Sequence, residues 1–385
     1  MKNERGIALI VTLMVVAILT IIVVEFTYSV QIDAHMARNA LNGLQASLLA
    51  RSGINLGEAV LLHDDNIKFD AYTEDWGDPE QLNSQFILPD NMRLRVQIID
   101  EGGKLNLNLT RPRTPFEWRQ AQNPDNTNPP MFKRWTAAAG NLLEQRGGSG
   151  QVADAIGEYW NQLFQILVQS PAGQPGQAAQ ASGTPTPGTN PVTNPSQWDF
   201  PSLDDASVIP GLTPALVRRA RSVLTALDFR QPPKVNVNTA PPEVLGAIIP
   251  DAGVVDNIIS QRQDQGLTVE DLRGLLDGMG RDPANNYVTN MLGVTSNFFL
   301  IRASATVNPN PLTGKGGISR SASMLVYRRQ VPCNPPKSPP TVPCWTLAQL
   351  DWQKEGGAAL LEQGSEQDPG IDDPLHIGLP GMGGN

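Results

Sequence analysis

The sequence predicts an α+β protein. One long N-terminal helix, membrane-spanning in its first part, packs on a small antiparallel sheet, and a large all-α domain is inserted between the strands of that sheet. Three observations carry this. Residues 7–24, IALIVTLMVVAILTIIVV, hold eighteen residues without a charge. Apolar residues then continue at three- and four-residue spacing to about residue 62. Alternating, strand-like stretches within 92–109 and 295–330 bracket residues 110–294, where the period is helical.

The first six residues, MKNERG, form a short charged leader that runs straight into the apolar segment. An ordinary secretory signal is cut after its apolar stretch and loses it. A cut between Gly6 and Ile7 would instead keep that stretch as the first element of the mature chain. As a helix, 7–24 reaches about 27 Å, close to the ~30 Å hydrocarbon core. Thr12 and Thr20 are tolerable there because a Thr hydroxyl bonds back to the preceding turn. Lys2 and Arg5 precede the span, and Glu25 and Asp33 follow it. The positive-inside tendency puts the N-terminus in the cytoplasm and the rest of the chain on the far side of the membrane. A plain single-span anchor without processing is the alternative at this point.

Past residue 24, Phe26, Val30, Ala34, Ala37, Leu41, Leu44, Leu48 and Ile54 form one apolar stripe on a helix that runs through 7–63. Gln31, Asp33, Arg38, Asn42, Gln45 and Arg51 lie on the other side. The helix is on the order of 80 Å long and needs a partner along it. Gly43, Gly53 and Gly57 are weak points or close-contact points.

After an acidic loop, 92–98 alternates as a strand, 100–103 supplies turn residues, and 104–109 alternates again, a pattern that predicts a hairpin. Helices are expected at 132–145 and 152–168. Residues 170–201 are Pro, Gly, Ala, Gln, Ser and Thr with few apolar side chains, a composition that predicts a disordered linker. Helices resume at 213–227, 240–249, 253–263 and 268–276. Strands follow at 298–307 and 318–329. Residues 331–385 read as a Cys-loop and a flexible tail, disordered from 364 on. The loop holds Cys333 and Cys344, the two cysteines of the chain. An oxidising compartment favours a disulfide there, worth about 3 kcal/mol at most. Two unrelated thiols are the alternative. A zinc site is excluded, since no His neighbours them.

The 385 residues suffice for two or three domains, and the net charge is −9. An acidic exported body disfavours nucleic acid, because phosphate binding needs clustered Lys and Arg. His35, His63 and His376 are scattered over three elements. There is no nucleophile elbow, no phosphate-binding loop and no metal-spaced His/Cys set, so an enzyme is not expected. The acidic loop 64–78 could bind calcium, but its spacing fits no EF-hand, and no cofactor is required.

The junction at Gly6, the long helix and the order of strands around a helical block resemble the K-type minor pseudopilins of the type II secretion system. DEGGKLNLN at 100–108, VNVNTAPPEVLGAII at 235–249 and TSNFFLIRASATV at 295–307 carry the resemblance, which covers about 1–110 and 203–330. It implies a pilin-like fold and a single-span inner-membrane protein. It also implies cleavage by a prepilin peptidase between Gly6 and Ile7, with methylation of the new amine. Most pilins carry a Glu at the fifth residue after the cut, which pairs with the amine of the subunit ahead. Here that residue is Val11, as the K-type resemblance implies. The implied role is at the pseudopilus tip, initiating or capping assembly for the export of folded periplasmic proteins across the outer membrane. The implied partners are the I- and J-type minor pseudopilins. One departure stands out: the family's acidic, Trp-containing helix has only a loose counterpart at 154–160, DAIGEYW.

Residues 235–272 also resemble a helix-hairpin-helix, a module that grips DNA phosphates at helix N-termini. Thr239 reads as an N-cap, with Pro241 and Pro242 in the first turn. The hairpin places Asp251 where a phosphate would sit, among Asp256, Asp264, Glu270 and Asp271, and Arg262 alone would not offset them. The reading is therefore a structural platform. A periplasmic DNA-binding or DNA-uptake protein and a plain single-span interaction protein are the alternatives.

Overall fold

The computed structural model describes residues 4–84, 87–123, 129–169, 199–227, 234–277, 287–308, 317–333 and 343–353. The expected linker core at 170–198 and the tail from 354 lie outside these residues.

Helix α1 (Glu4–Leu62) is one unbroken helix of 59 residues. Thr12 and Thr20 donate their hydroxyls to the carbonyls of Leu9 and Val16, both at 2.8 Å, so neither leaves a polar group unpaired. Residues 9–41 are exposed throughout. From Gly43 on, the helix lies against the sheet.

Of the expected stripe, Ile54 alone is buried. Phe26, Val30, Leu41, Leu44 and Leu48 are all exposed. The buried face is Gly43, Ala46, Ala50, Gly53, Ile54, Gly57 and Leu61. The reason is distance: a Cβ at Gly57 would lie 2.6 Å from Ile301 Cγ2, and one at Gly53 2.9 Å from Ala303 Cβ. The helix axis sits so close to the sheet that small residues must face it. Gly43, Gly53 and Gly57 are contact points, not weak points.

The sheet has four antiparallel strands: β1 (Met92–Asp100), β6 (Phe298–Val307), β7 (Ile318–Val331) and β8 (Cys344–Gln353), in that spatial order. The inner face carries Val96, Ile98, Phe299, Ile301, Ala303, Ala305, Met324 and Val326 against α1, with Trp76 edge-on to Phe299 at 5.2 Å. Strand β8 lies in the stretch expected to be only Cys-loop and tail. The flanking prolines masked its alternation.

The expected hairpin is not formed. β1 pairs with β6, and after a 3₁₀ turn at Glu101–Gly103 the chain leaves the sheet. Strand β2 (Leu105–Asn106) pairs in parallel with β3 (Leu224–Thr225), which also ends the helix expected at 213–227 early. Leu105, Leu107 and Leu109 are buried in the helical block, and Asn106 and Asn108 are buried as well. Alternation of apolar and polar residues was therefore not alternation of buried and solvated ones.

The helical block holds α3 (Pro115–Gln122), α4 (Met131–Gln145), α5 (Val152–Gln169), α6 (Pro214–Ala220), α7 (Pro242–Ile248), α8 (Ala252–Asp264), α9 (Val269–Asp277) and α10 (Val288–Met291). The short α2 (Pro79–Ser84) sits beside β1. The block closes with β4 (Val235–Asn236) pairing in parallel with β5 (Leu292–Gly293). It has its own core, separate from the core between α1 and the sheet. Trp160 of the stretch 154–160 is fully buried there and donates to Thr110 Oγ1 at 2.8 Å.

Candidate functional site

Two regions bear on function: the uncovered start of α1, and the junction between sheet and helical block. Gly6 and Ile7 lie in the backbone of α1 near its start. Val11 is 54% exposed on the bare part of the helix, so it meets nothing within the monomer. The described part of the helix contains an eighteen-residue window of mean hydropathy 2.9, none of it buried, which suits a membrane by length and composition.

The junction brings together the three segments singled out in the sequence. Asp100, the last residue of β1, is 1% exposed. Its Oδ2 accepts from Thr239 Oγ1 at 2.6 Å, Ser296 Oγ at 2.6 Å and Asn236 Nδ2 at 2.9 Å. Its Oδ1 accepts from the Gly102 amide at 2.7 Å. A Cβ at Gly103 would lie 2.6 Å from Thr239 Oγ1, so this turn must be glycine to let the block approach. Thr239 is thus a buried donor at the junction, not the N-cap of α7; that cap is Pro241.

The phrases LNLN and VNVN act alike. Asn106 and Asn108 hold the backbones of Leu227 and Phe200, with the Phe200 amide 2.8 Å from Asn108 Oδ1. Asn238 holds Leu267 from both sides, donating to its carbonyl at 3.0 Å and accepting from its amide at 2.8 Å. Each buried amide side chain stands in for a missing strand neighbour and leaves the loop backbone satisfied.

Next to this network sits Arg328, 1% exposed. It pairs with Asp64 at 2.6 Å and with Asp70. Its guanidinium stacks on Phe299 at 4.6 Å and on Trp345 of β8 at 4.4 Å. Trp345 Nε1 in turn donates to the Asp64 carbonyl at 2.6 Å. Burial pushes Asp70 up to about 7, against the pull of Arg328 and of the Ser296 amide. Burial also raises Asp100, against its hydrogen bonds from Ser296, Thr239 and Asn236.

Asp64, Asp70 and Glu74 are the acidic-loop residues that could ligate a cation, with one oxygen of each within 4.8 Å of the others. They do not fit a resident calcium. Asp64 and Asp70 are already bound by Arg328, and Glu74 accepts from Asn66, the Ala71 amide and Trp76 Nε1. The guanidinium supplies the positive charge a metal would bring.

The helix-hairpin-helix segment is equally self-contained. Asp251 caps α8, accepting from the amides of Gly253 at 2.8 Å and Val254 at 3.3 Å, so a carboxylate occupies the place of a phosphate. Arg262 donates to the carbonyls of Val237 and Ala240, both at 2.6 Å, and braces the turn before α7. Cys333 and Cys344 are bonded to each other and tie the start of β8 to the end of β7.

The junction residues Asp70, Ser296 and Arg328 were not singled out from the sequence. The nearest signal was the run of Asn in LNLN and VNVN, since buried amides in apolar strands demand partners.

A long helix that is bare and apolar at its start, laid on a small antiparallel sheet with a helical block between the first two strands, defines a pilin-like subunit. A family model described as type II secretion system protein K matches residues 235–295, the last third of the block, which carries Asn236, Asn238 and Thr239. A relative from Pseudomonas aeruginosa, type II secretion system protein K, is 29% identical over 287 residues, covering 70% of this chain and 76% of its own length. The fold is similar to a chain in the crystal structure of the GspK-GspI-GspJ complex from enterotoxigenic Escherichia coli, with a TM-score of 0.50, 18% identity, and 83% of this chain and 99% of that chain covered. Together these comparisons support the type II secretion system protein K family for this chain. It is a minor pseudopilin, a structural component of secretion and not an enzyme.

Proposed function

We propose that this chain stands at the tip of the type II secretion pseudopilus, where it initiates or caps assembly for the export of folded periplasmic proteins across the outer membrane. Val11 carries the reading. Residues 7–24 contain no carboxylate, so the chain offers no acceptor to the amine of a subunit ahead of it. Its own amine, once freed at Ile7, remains able to pair with a subunit behind. The helical block adds bulk at the outer end, where a further subunit would have to stack.

The chain would sit in the inner membrane, N-terminus inside and body in the periplasm, as Lys2 and Arg5 favour. I- and J-type minor pseudopilins would be its partners, as GspI and GspJ are for the enterotoxigenic relative. The exposed Leu41, Leu44 and Leu48 give neighbouring helices an apolar face to pack on.

A prepilin peptidase would cut between Gly6 and Ile7, and methylation of the new amine would follow. Mass spectrometry of the mature N-terminus tests this, with Ile7 as the expected first residue. A start at Met1 or beyond residue 20 would contradict it. Gly6→Leu is expected to block the cut.

A further inference from the structure

We propose that the Cys333–Cys344 bond is a redox latch: its closure seats strand β8, and seated β8 locks the helical block to the sheet. Both cysteines are half-buried, so a thiol reagent reaches them, unlike a bridge sealed in a core. Little else holds β8. From Cys344 to Leu350 none of its side chains is buried, and Thr346, Ala348, Gln349 and Leu350 are exposed. It is an edge strand, paired with β7 alone, and its register shifts beside Leu325 and Val326. Gln349 donates to Glu58 at 2.8 Å, an exposed contact. The remaining side-chain anchor, Trp345, is next in sequence to the bridge.

Trp345 leads from the bridge to the junction. Its ring covers the Arg328 guanidinium at 4.4 Å, and its Nε1 donates to the Asp64 carbonyl at 2.6 Å. Arg328 pairs with Asp64 and with Asp70. Asp70 is bonded to the junction at three points. Its amide donates to the Val294 carbonyl at 2.8 Å, its carbonyl accepts from Asn236 Nδ2 at 2.9 Å, and its Oδ2 accepts from the Ser296 amide at 2.7 Å. Buried charges of this kind hold together only while each stays paired and water stays out. Lifting Trp345 admits water beside the guanidinium and weakens its pull on Asp70. Closing the latch takes the two thiols and a small disulfide as oxidant. One thiolate attacks the donor disulfide, the second displaces the mixed disulfide, and the donor leaves as two thiols carrying two electrons and two protons. A dithiol reductant runs the same exchange backwards. The block is thus fixed to the sheet only once the body has entered an oxidising compartment, wherever the subunit later stands in a filament.

The test is hydrogen exchange of the full chain in detergent micelles, first oxidised and then reduced with dithiothreitol. Reduction should speed exchange of the Asp70 and Ser296 amides by up to about a hundredfold, the gain in opening that loss of a short closed loop allows. The amides of Ile249 and Val255, hydrogen-bonded inside the block, should exchange as before. Trp345→Ala keeps the bridge and should speed Asp70 and Ser296 in the oxidised chain. Faster exchange confined to β7 and β8 would overturn the proposal, because the bridge would then hold its own strand and nothing further. So would equal acceleration throughout the body, the mark of a general staple, and so would unchanged exchange at Asp70 and Ser296. If Trp345→Ala fails to fold, the reduced parent chain decides alone.

Discussion

Asp70 and Asp100 make the junction sensitive to pH, and the sign follows from burial. Asp70 stands near 7 when folded against an ordinary value of 3.8, so the folded chain binds the extra proton between those limits. Its contribution is fully present below the unfolded value and is lost as pH rises through about 7. Asp100 is raised in the same direction. Unfolding of the body, followed by fluorescence of the full chain, is therefore expected to have a higher midpoint at pH 5 than at pH 8. Asp70→Asn, whose amide resembles the protonated carboxyl present at pH 5, should flatten that slope, with its main effect on the midpoint at pH 8. A midpoint that climbs from pH 5 to pH 8 would contradict the assignment. None of this was readable beforehand. Asp100 meets Asn236 and Ser296 across 136 and 196 residues of sequence, and side-chain periodicity carries no information at that range. Val11 and the two cysteines could be singled out in advance because what they suggest lies in local sequence.

Elements were easier to place than their faces. The strand at Phe298–Val307 and the helices near 132–145 and 152–168 follow from period alone. The face of α1 did not, because a glycine and alanine face looks weak in a pattern that weights large apolar residues. Yet Gly57 touches Ile301, while Leu44 and Leu48 stand bare. Gly57→Leu should therefore destabilise the body by about 1–3 kcal/mol through overpacking. Leu48→Gln should leave monomer stability nearly unchanged. Denaturant titration of both variants separates the two faces. Equal losses would mean that the helix packs otherwise. The hairpin at 92–109 misled for the opposite reason: its second arm alternates, but both of its faces are buried. Strand β8 depends on the bond between Cys333 and Cys344, which holds Trp345 over Arg328. Thiol labelling of denatured, unreduced protein isolated from membranes should find no free thiol. Cys344→Ser should lower stability by up to about 3 kcal/mol, by the entropy of the closed loop. Two reactive thiols in the parent chain would rule the bridge out.

At the scale of the molecule, two cores meet at one polar junction. Asp100 at the end of β1 and Ser296 before β6 mark where the chain leaves the sheet and returns to it; both accept from Asn236 of the block, and Asp100 also accepts from Thr239 and from Ser296 itself. The block is therefore fixed to the sheet, and its position at one end of the subunit is a property of the fold. This part of the architecture was legible from the order of strands around 110–294, and the family from DEGGKLNLN, VNVNTAPPEVLGAII and TSNFFLIRASATV. The join itself is made by side chains more than a hundred residues apart, which no local pattern reveals.

If the proposed tip position holds, a subunit with no acceptor at Val11 and a helical block at the end of the sheet away from the bare start of α1 should occur once per filament. The most direct test is to isolate pseudopili, quantify this chain against the major subunit by mass spectrometry, and label the helical block with immunogold. The account predicts a copy number far below that of the major subunit, with label at one end. Label spread evenly along the shaft, at a copy number near the major subunit's, would contradict it.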